Sequence, residues 1–322
     1  MTGIVALACK VFPKVIFRVV RPATRSIPLR IFRALAWPGV AAFALLELAR
    51  LGASFAEYDR LHDALRPPRG RLPWRLRIWR DRARVAMSRL IGFWPEWFSS
   101  GRRAALIRLE GHEESLRLLD DRSRPLVLAS LHFGPMKMLY YVLRSAGIPV
   151  AVMTWDEEKR KPSHVRDILR ICDRESGLEG VPRFFAPGNC WEVVEFLREN
   201  RVLLVLMSGG GGRHLEVSDG GVTLTLSAGA LKIASIVEAS VVPCFIVMGP
   251  HGRLRLTLGP PLPKAVVCNA RRHREACEQF FRFARPILSA SPGQIDSWLL
   301  KCLKPCPGPV ASAPEPSRAA AV

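Results

Sequence analysis

The stretch of this chain best suited to chemistry runs from Pro125 to Leu139, where a mostly apolar run ends on His132 and Phe133-Gly134 leads into Pro135. An apolar run of that length is a strand buried on both faces, and proline favours the first position of a helix. His132 therefore stands at the carboxyl end of a strand, the end at which ligands gather in open α/β sheets. Its imidazole titrates near neutrality and can remove a proton from an attacking hydroxyl. The plainer role of capping the strand or bonding a carbonyl is open to the same residue.

A second candidate follows the run Val202 to Ser208, where Gly209 to Gly212 precede Arg213. The glycines lack the G-x-x-x-x-G-K-[ST] spacing, which excludes a nucleotide P-loop. They read as a loop near the crevice, with Ser208 and Arg213 facing a substrate, or as a plain surface turn. His214, His251 and His273 have no metal-ligand spacing and read as surface residues. Glu110 and His112 precede the catalytic strand and are expected to face away from the crevice.

The elements that must position these residues alternate between strand and helix from Arg103 onward, which implies an α/β fold with a mostly parallel central sheet flanked by helices. Strands are predicted at Pro125–His132, Pro149–Thr154, Val202–Ser208, Val241–Met248 and Arg253–Leu258, the last an edge strand with one wet face. Helices are predicted at Met136–Ser145, His164–Arg174, Trp191–Asn200, Ser227–Val237 and Arg271–Leu288. The expected organisation is a helical membrane-associated region at 1–102, the α/β domain at 103–302 and a disordered tail at 303–322.

Charge narrows the partners. The chain of 322 residues is 49% hydrophobic and carries a formal charge of +20, which calls for a negative partner surface. Arg75, Arg77, Arg80, Arg82 and Arg84 belong to a long basic series interleaved with Trp, Leu, Ile and Val. That mixture suits the headgroup boundary of an anionic membrane, where each basic residue adds about 1 kcal/mol, better than it suits nucleic acid. The uncharged run Ala34 to Leu46 is shorter than the roughly 20 residues that span a bilayer, and reads as an interfacial helix, a core helix or a tilted span. The eight cysteines are scattered with no Cys-x-x-Cys pair, which argues against a disulfide scaffold and for a reduced compartment.

With His132-Phe133-Gly134 in view, the chain resembles the lauroyl/myristoyl acyltransferases of lipid A biosynthesis and their relatives. Ile107 to Leu119 is similar to the segment before that family's catalytic strand, Val222 to Ala230 to its Thr-rich turn and helix, and Ser291 to Trp298 to its closing Pro-x-x-Trp region. The resemblance implies a glycerolipid acyltransferase-like fold on the cytoplasmic face of a bacterial inner membrane. The implied reaction is transfer of a fatty acyl group from an acyl carrier protein or coenzyme A thioester to a lipid or glycolipid hydroxyl, without a metal or cofactor. His132 is then the base, a backbone amide near Gly134 or in the glycine loop meets the oxyanion, and Arg174 resembles a basic position able to contact phosphate.

The chain departs from that pattern at Lys137, where the family places the carboxylate that orients the histidine. A lysine accepts no hydrogen bond and opposes imidazole protonation. Lys137 is a solvated surface residue, or it holds a phosphate at the start of the helix, or the site is inactive and the protein binds a lipid or a partner. In an active site, Asp156, Glu157 or Glu158 would orient His132, or the imidazole would work unaided.

Overall fold

The computed structural model describes residues 31, 34–41, 52–65, 73–91, 107–121, 124–153, 173–174, 177–178, 181, 184–185, 188–199, 201–208, 213–249 and 253–306. Helices α1 (Gly52–Leu65) and α2 (Trp74–Ile91) precede β1 (Ile107–Gly111), α3 (Glu113–Asp121), β2 (Leu126–Ser130) and α4 (Met136–Ser145). Next come β3 (Val150–Met153), β4 (Phe184–Phe185), α5 (Cys190–Arg198), β5 (Val202–Leu206), β6 (His214–Asp219), β7 (Val222–Ser227) and α6 (Gly229–Val237). The chain continues through β8 (Ser240–Met248), β9 (Leu254–Leu258), α7 (Lys264–Val267), α8 (His273–Ala290), α9 (Ser297–Cys302) and β10 (Leu303–Pro305).

Seven strands form one sheet in the order β1-β9-β8-β2-β5-β3-β4, and every neighbouring pair is parallel except β8 with β9. β2 lies at its centre. Strand alternation divides the apolar side chains between two cores: Val127, Ala129, Leu203 and Val205 join one, while Leu126, Leu128, Val202 and Leu204 join the other. Both faces are covered, as the continuous apolar runs require.

The predicted elements around the sheet centre are present, with three corrections elsewhere, and the expected helix His164–Arg174 lies, but for its last two residues, outside the described residues. β9 does not lie at an edge, because β1 pairs with it in parallel from Ile107 opposite Leu254. Its alternation does leave one wet face, where Arg255 stands 3.3 Å from Glu110. Val222 to Ser227 are not a turn into a helix but a strand, joined to β6 through Gly220 and Gly221 at φ of 56° and 88°. Glycine reaches that conformation without steric cost, and strict alternation along His214–Asp219 and Val222–Ser227 gives the hairpin one buried face. β10 adds to β7, so Leu303–Pro305, placed at the head of the expected tail, belong to this second sheet.

α1 and α2 are part of the α/β unit. Tyr58, Leu61, Leu65 and Ile78 lie in the larger core, and Ala83, Ala86 and Met87 lie in the other. The arginines of α2 are correspondingly not all turned outward. Arg77 and Arg82 are buried, and Arg80 and Arg84 pair with the fully buried Asp81 at 3.3 and 3.1 Å. The stretch expected to meet lipid headgroups thus spends several of its cations inside the protein. Within the apolar run Ala34–Leu46, residues 34–41 are helical, with Val40 buried and Leu35 and Trp37 exposed. Among the described residues, no helix is long and apolar enough to cross a membrane.

Candidate active site

His132 follows β2 by two residues, and the parallel register that sets Ser130 beside Leu206 carries on to bring His132 beside Ser208 at the end of β5. Met207 N–H donates to Ser130 O at 2.8 Å, which continues the ladder past the strand ends. The Ser208 hydroxyl oxygen then lies 2.9 Å from two atoms of His132, its backbone nitrogen and its ring Nδ1. Nδ1 is thereby engaged with the protein, which leaves Nε2 as the ring nitrogen for a substrate.

A second segment closes over this pair from the far end of the chain. Phe133 and Ile295 form an antiparallel bridge, with Gly134 N–H donating to Gln294 O at 2.8 Å and Asp296 N–H to His132 O at 3.0 Å. Gln294 is buried and its amide both donates to Met248 O at 2.9 Å and accepts from Met248 N–H at 3.0 Å, which ties the segment to β8. Tyr58 Oη donates to Ile295 O at 2.6 Å, and Arg82 donates to both Tyr58 Oη and Ile295 O. α1 and α2 therefore support the closing segment. Burial in this setting pushes the Tyr58 hydroxyl up to about 12.

Asp296 caps α9 by accepting from Trp298 N–H at 2.9 Å. Trp298 returns the connection, because its indole N–H donates to Ser208 O at 2.6 Å and its ring centroid lies 6.2 Å from that of His132. The imidazole is half-buried. Desolvation pushes its pKa below the ordinary 6.5, and the negative charge of Asp296 works in the opposite direction. The net shift is downward, which favours the neutral ring.

The residues expected at the site are not all brought together. Ser208 is there, although its oxygen faces His132 rather than open solvent. Gly134 is there in a different role: its N–H is already bonded to Gln294 O, so it is no donor for an oxyanion. Its φ of 67° and the approach of Ile246 O, 2.0 Å from where a Cβ would stand, explain why glycine occupies the position. Arg213 is exposed, at the base of the β6–β7 hairpin, which is held beside Ser208 by Ser227 N–H donating to Met207 O at 2.7 Å.

Arg174 is exposed and sits at the opposite end of the sheet. Its neighbour Asp173 is bound by the fully buried Arg144, which also donates to Val150 O at 2.9 Å, at the amino end of β3. Lys137 occupies the second position of α4; its side chain, and with it the expected anion contact, lies outside the described residues, as do Gly209–Gly212, Asp156, Glu157 and Glu158. Among the described residues, the carboxylate whose charge reaches the imidazole is Asp296. His273 is not a surface residue, since it is buried with Nε2 2.9 Å from Val267 O. Among the described residues, no group of three His, Cys, Asp or Glu side chains is arranged to hold a metal ion.

No family model matches the chain, and no curated protein matches it. Fold and site together define an α/β protein with a mostly parallel seven-stranded sheet and a histidine-centred site at the carboxyl ends of its central strands.

Proposed function

We propose that the protein is an O-acyltransferase that moves a fatty acyl group from an acyl carrier protein or coenzyme A thioester to a hydroxyl of a lipid or glycolipid of the lipid A type. The observation that carries this reading is the placement of His132, half-buried at the end of the central strand, with Nδ1 on Ser208 and Nε2 left for a substrate. Nε2 takes the proton of the acceptor hydroxyl as its oxygen attacks the thioester carbonyl. The carbon–sulfur bond then breaks, and the imidazolium returns the proton to the departing thiolate. General-base catalysis of this kind contributes about 10²- to 10⁴-fold.

The charge of +20 and the exposed Leu35 and Trp37 support work at an anionic membrane surface, in this reading the cytoplasmic face of a bacterial inner membrane. Lys137, standing where the resembled family has its acid, favours a second reading: a catalytically inactive, lipid- or partner-binding descendant of the same fold.

The test incubates purified protein with acyl carrier protein and coenzyme A thioesters and a panel of lipid hydroxyl acceptors, and compares wild type with His132→Ala. Transfer that falls about 10²-fold or more in the variant supports the reading. Transfer that is unchanged in the variant refutes the mechanism, and no transfer with any pair favours the second reading.

A further inference from the structure

We infer that Ser208 and Asp296 divide between them the work that one carboxylate does for a catalytic histidine, Ser208 fixing the ring and its tautomer and Asp296 supplying the charge that favours the protonated ring. This rests on the proposed role of His132 as base. Neither residue touches the acceptor in this scheme, so both are positioning residues.

The geometry behind the division is specific. A backbone N–H can only donate, so Ser208 Oγ is the acceptor in its bond with His132 N. A hydroxyl oxygen has two lone pairs, and in the tautomer we assign the second accepts from Nδ1–H at the same 2.9 Å. One oxygen just beyond β5 thus holds the ring and the backbone of one residue just beyond β2. In that tautomer the Nε2 lone pair is free to receive a proton, and protonation leaves the Nδ1–H bond to Ser208 unchanged.

Serine brings no charge, and an imidazolium forming in a half-buried site needs one. Asp296 is tied to the His132 backbone by its N–H bond to His132 O, and its carboxylate is held by the Trp298 N–H that it caps, on the residue whose ring centroid lies 6.2 Å from that of His132. Trp298 in turn bonds Ser208 O, so the two positioning residues belong to one connected unit. Among the described residues Asp296 is the charged group sensed by His132. The Cys302 thiol, 3.6 Å from Ser208 O, is kept neutral by burial.

The experiment is nitrogen NMR of the His132 imidazole in the full chain without substrate, titrated with pH, for wild type, Ser208→Ala, Ser208→Thr and Asp296→Asn. Wild type is expected to carry its neutral-state proton on Nδ1. Ser208→Ala is expected to shift it toward Nε2, and Ser208→Thr to restore it. Asp296→Asn keeps a side-chain acceptor for the helix cap and is expected to lower the His132 pKa. In the transfer assay, Ser208→Ala should reduce kcat by up to about 100-fold with little change in KM, as expected for a misoriented base.

A wild-type neutral proton on Nε2, or a His132 titration unmoved by Asp296→Asn, overturns the inference. Since the NMR is read without substrate, that result leaves acyl transfer by wild type standing. The expected NMR result with no transfer from any donor refutes the proposed function alone.

Discussion

Replacing Gly134 with alanine tests whether this glycine serves the fold or the substrate. Its φ of 67° costs an L-residue roughly 1–2 kcal/mol. The new Cβ would lie 2.0 Å from Ile246 O, far inside any ordinary carbon–oxygen contact, so the turn after β2 must move away from β8. That movement breaks the Gly134 N–H bond to Gln294 O, worth roughly 0.5–1.5 kcal/mol. The sum is a loss of roughly 1.5–3.5 kcal/mol, with the relief of the contact adding to it. Urea unfolding reads this as a midpoint lower by about 0.5 M or more. His132 lies two residues away, and a displacement of about 1 Å there costs on the order of 10²-fold in rate. Alanine keeps the backbone N–H, so a substrate-binding amide would tolerate the change. A Gly134→Ala variant with the wild-type midpoint and an unaltered His132 titration would falsify this account of the turn.

Two further perturbations probe the buried charges. Arg144→Met breaks the buried ion pair with Asp173 and removes the donors to Val150 O and Leu178 O, so stability should drop by about 3–5 kcal/mol in urea unfolding; a drop under about 1 kcal/mol would show that the pair is dispensable. Asp81 is fully buried among arginines, and burial raises its pKa above the ordinary carboxylate value of 3.8. The folded protein then binds more protons than the unfolded chain between those two values, so stability falls as pH rises through that window. Asp81→Asn should flatten this part of the stability curve, and an unchanged slope in unfolding measured across pH would refute the assignment.

How far the sequence discloses the molecule depends on how local each signal is. The apolar runs of β2, β5 and β8 and the start of α4 at Met136 are legible because burial on both faces leaves an unbroken pattern. His132 is legible for the same reason, as it ends such a run. Ser208 is visible as a residue at a strand end, but its bond to His132 depends on the register between β2 and β5. Asp296 leaves only a local trace, an acidic cap two residues before Trp298, and nothing in that trace announces a neighbour on β2. The basic series in α2 is ambiguous for a related reason: alternating Arg and apolar residues read alike whether the cations face lipid headgroups or a buried carboxylate such as Asp81. Periodicity reports which face is apolar and is silent about what covers the other.

The closing segment explains why a site missing the expected acid at position 137 still has an ordered imidazole. In a doubly covered sheet, a histidine at a strand end is constrained by its own strand on one side only. Here the backbone of His132 is held twice, by Ser208 Oγ on its nitrogen and by Asp296 N–H on its carbonyl, while the ring is held at Nδ1. Those contacts come from β5 and from the segment before α9, and the latter is fastened to β8 by Gln294 and to α1 and α2 by Tyr58 and Arg82. Orientation of the imidazole is thus distributed over the sheet and the amino-terminal helices. With the ring held at Nδ1 and the His132 backbone held on both sides, that orientation does not depend on a carboxylate at position 137.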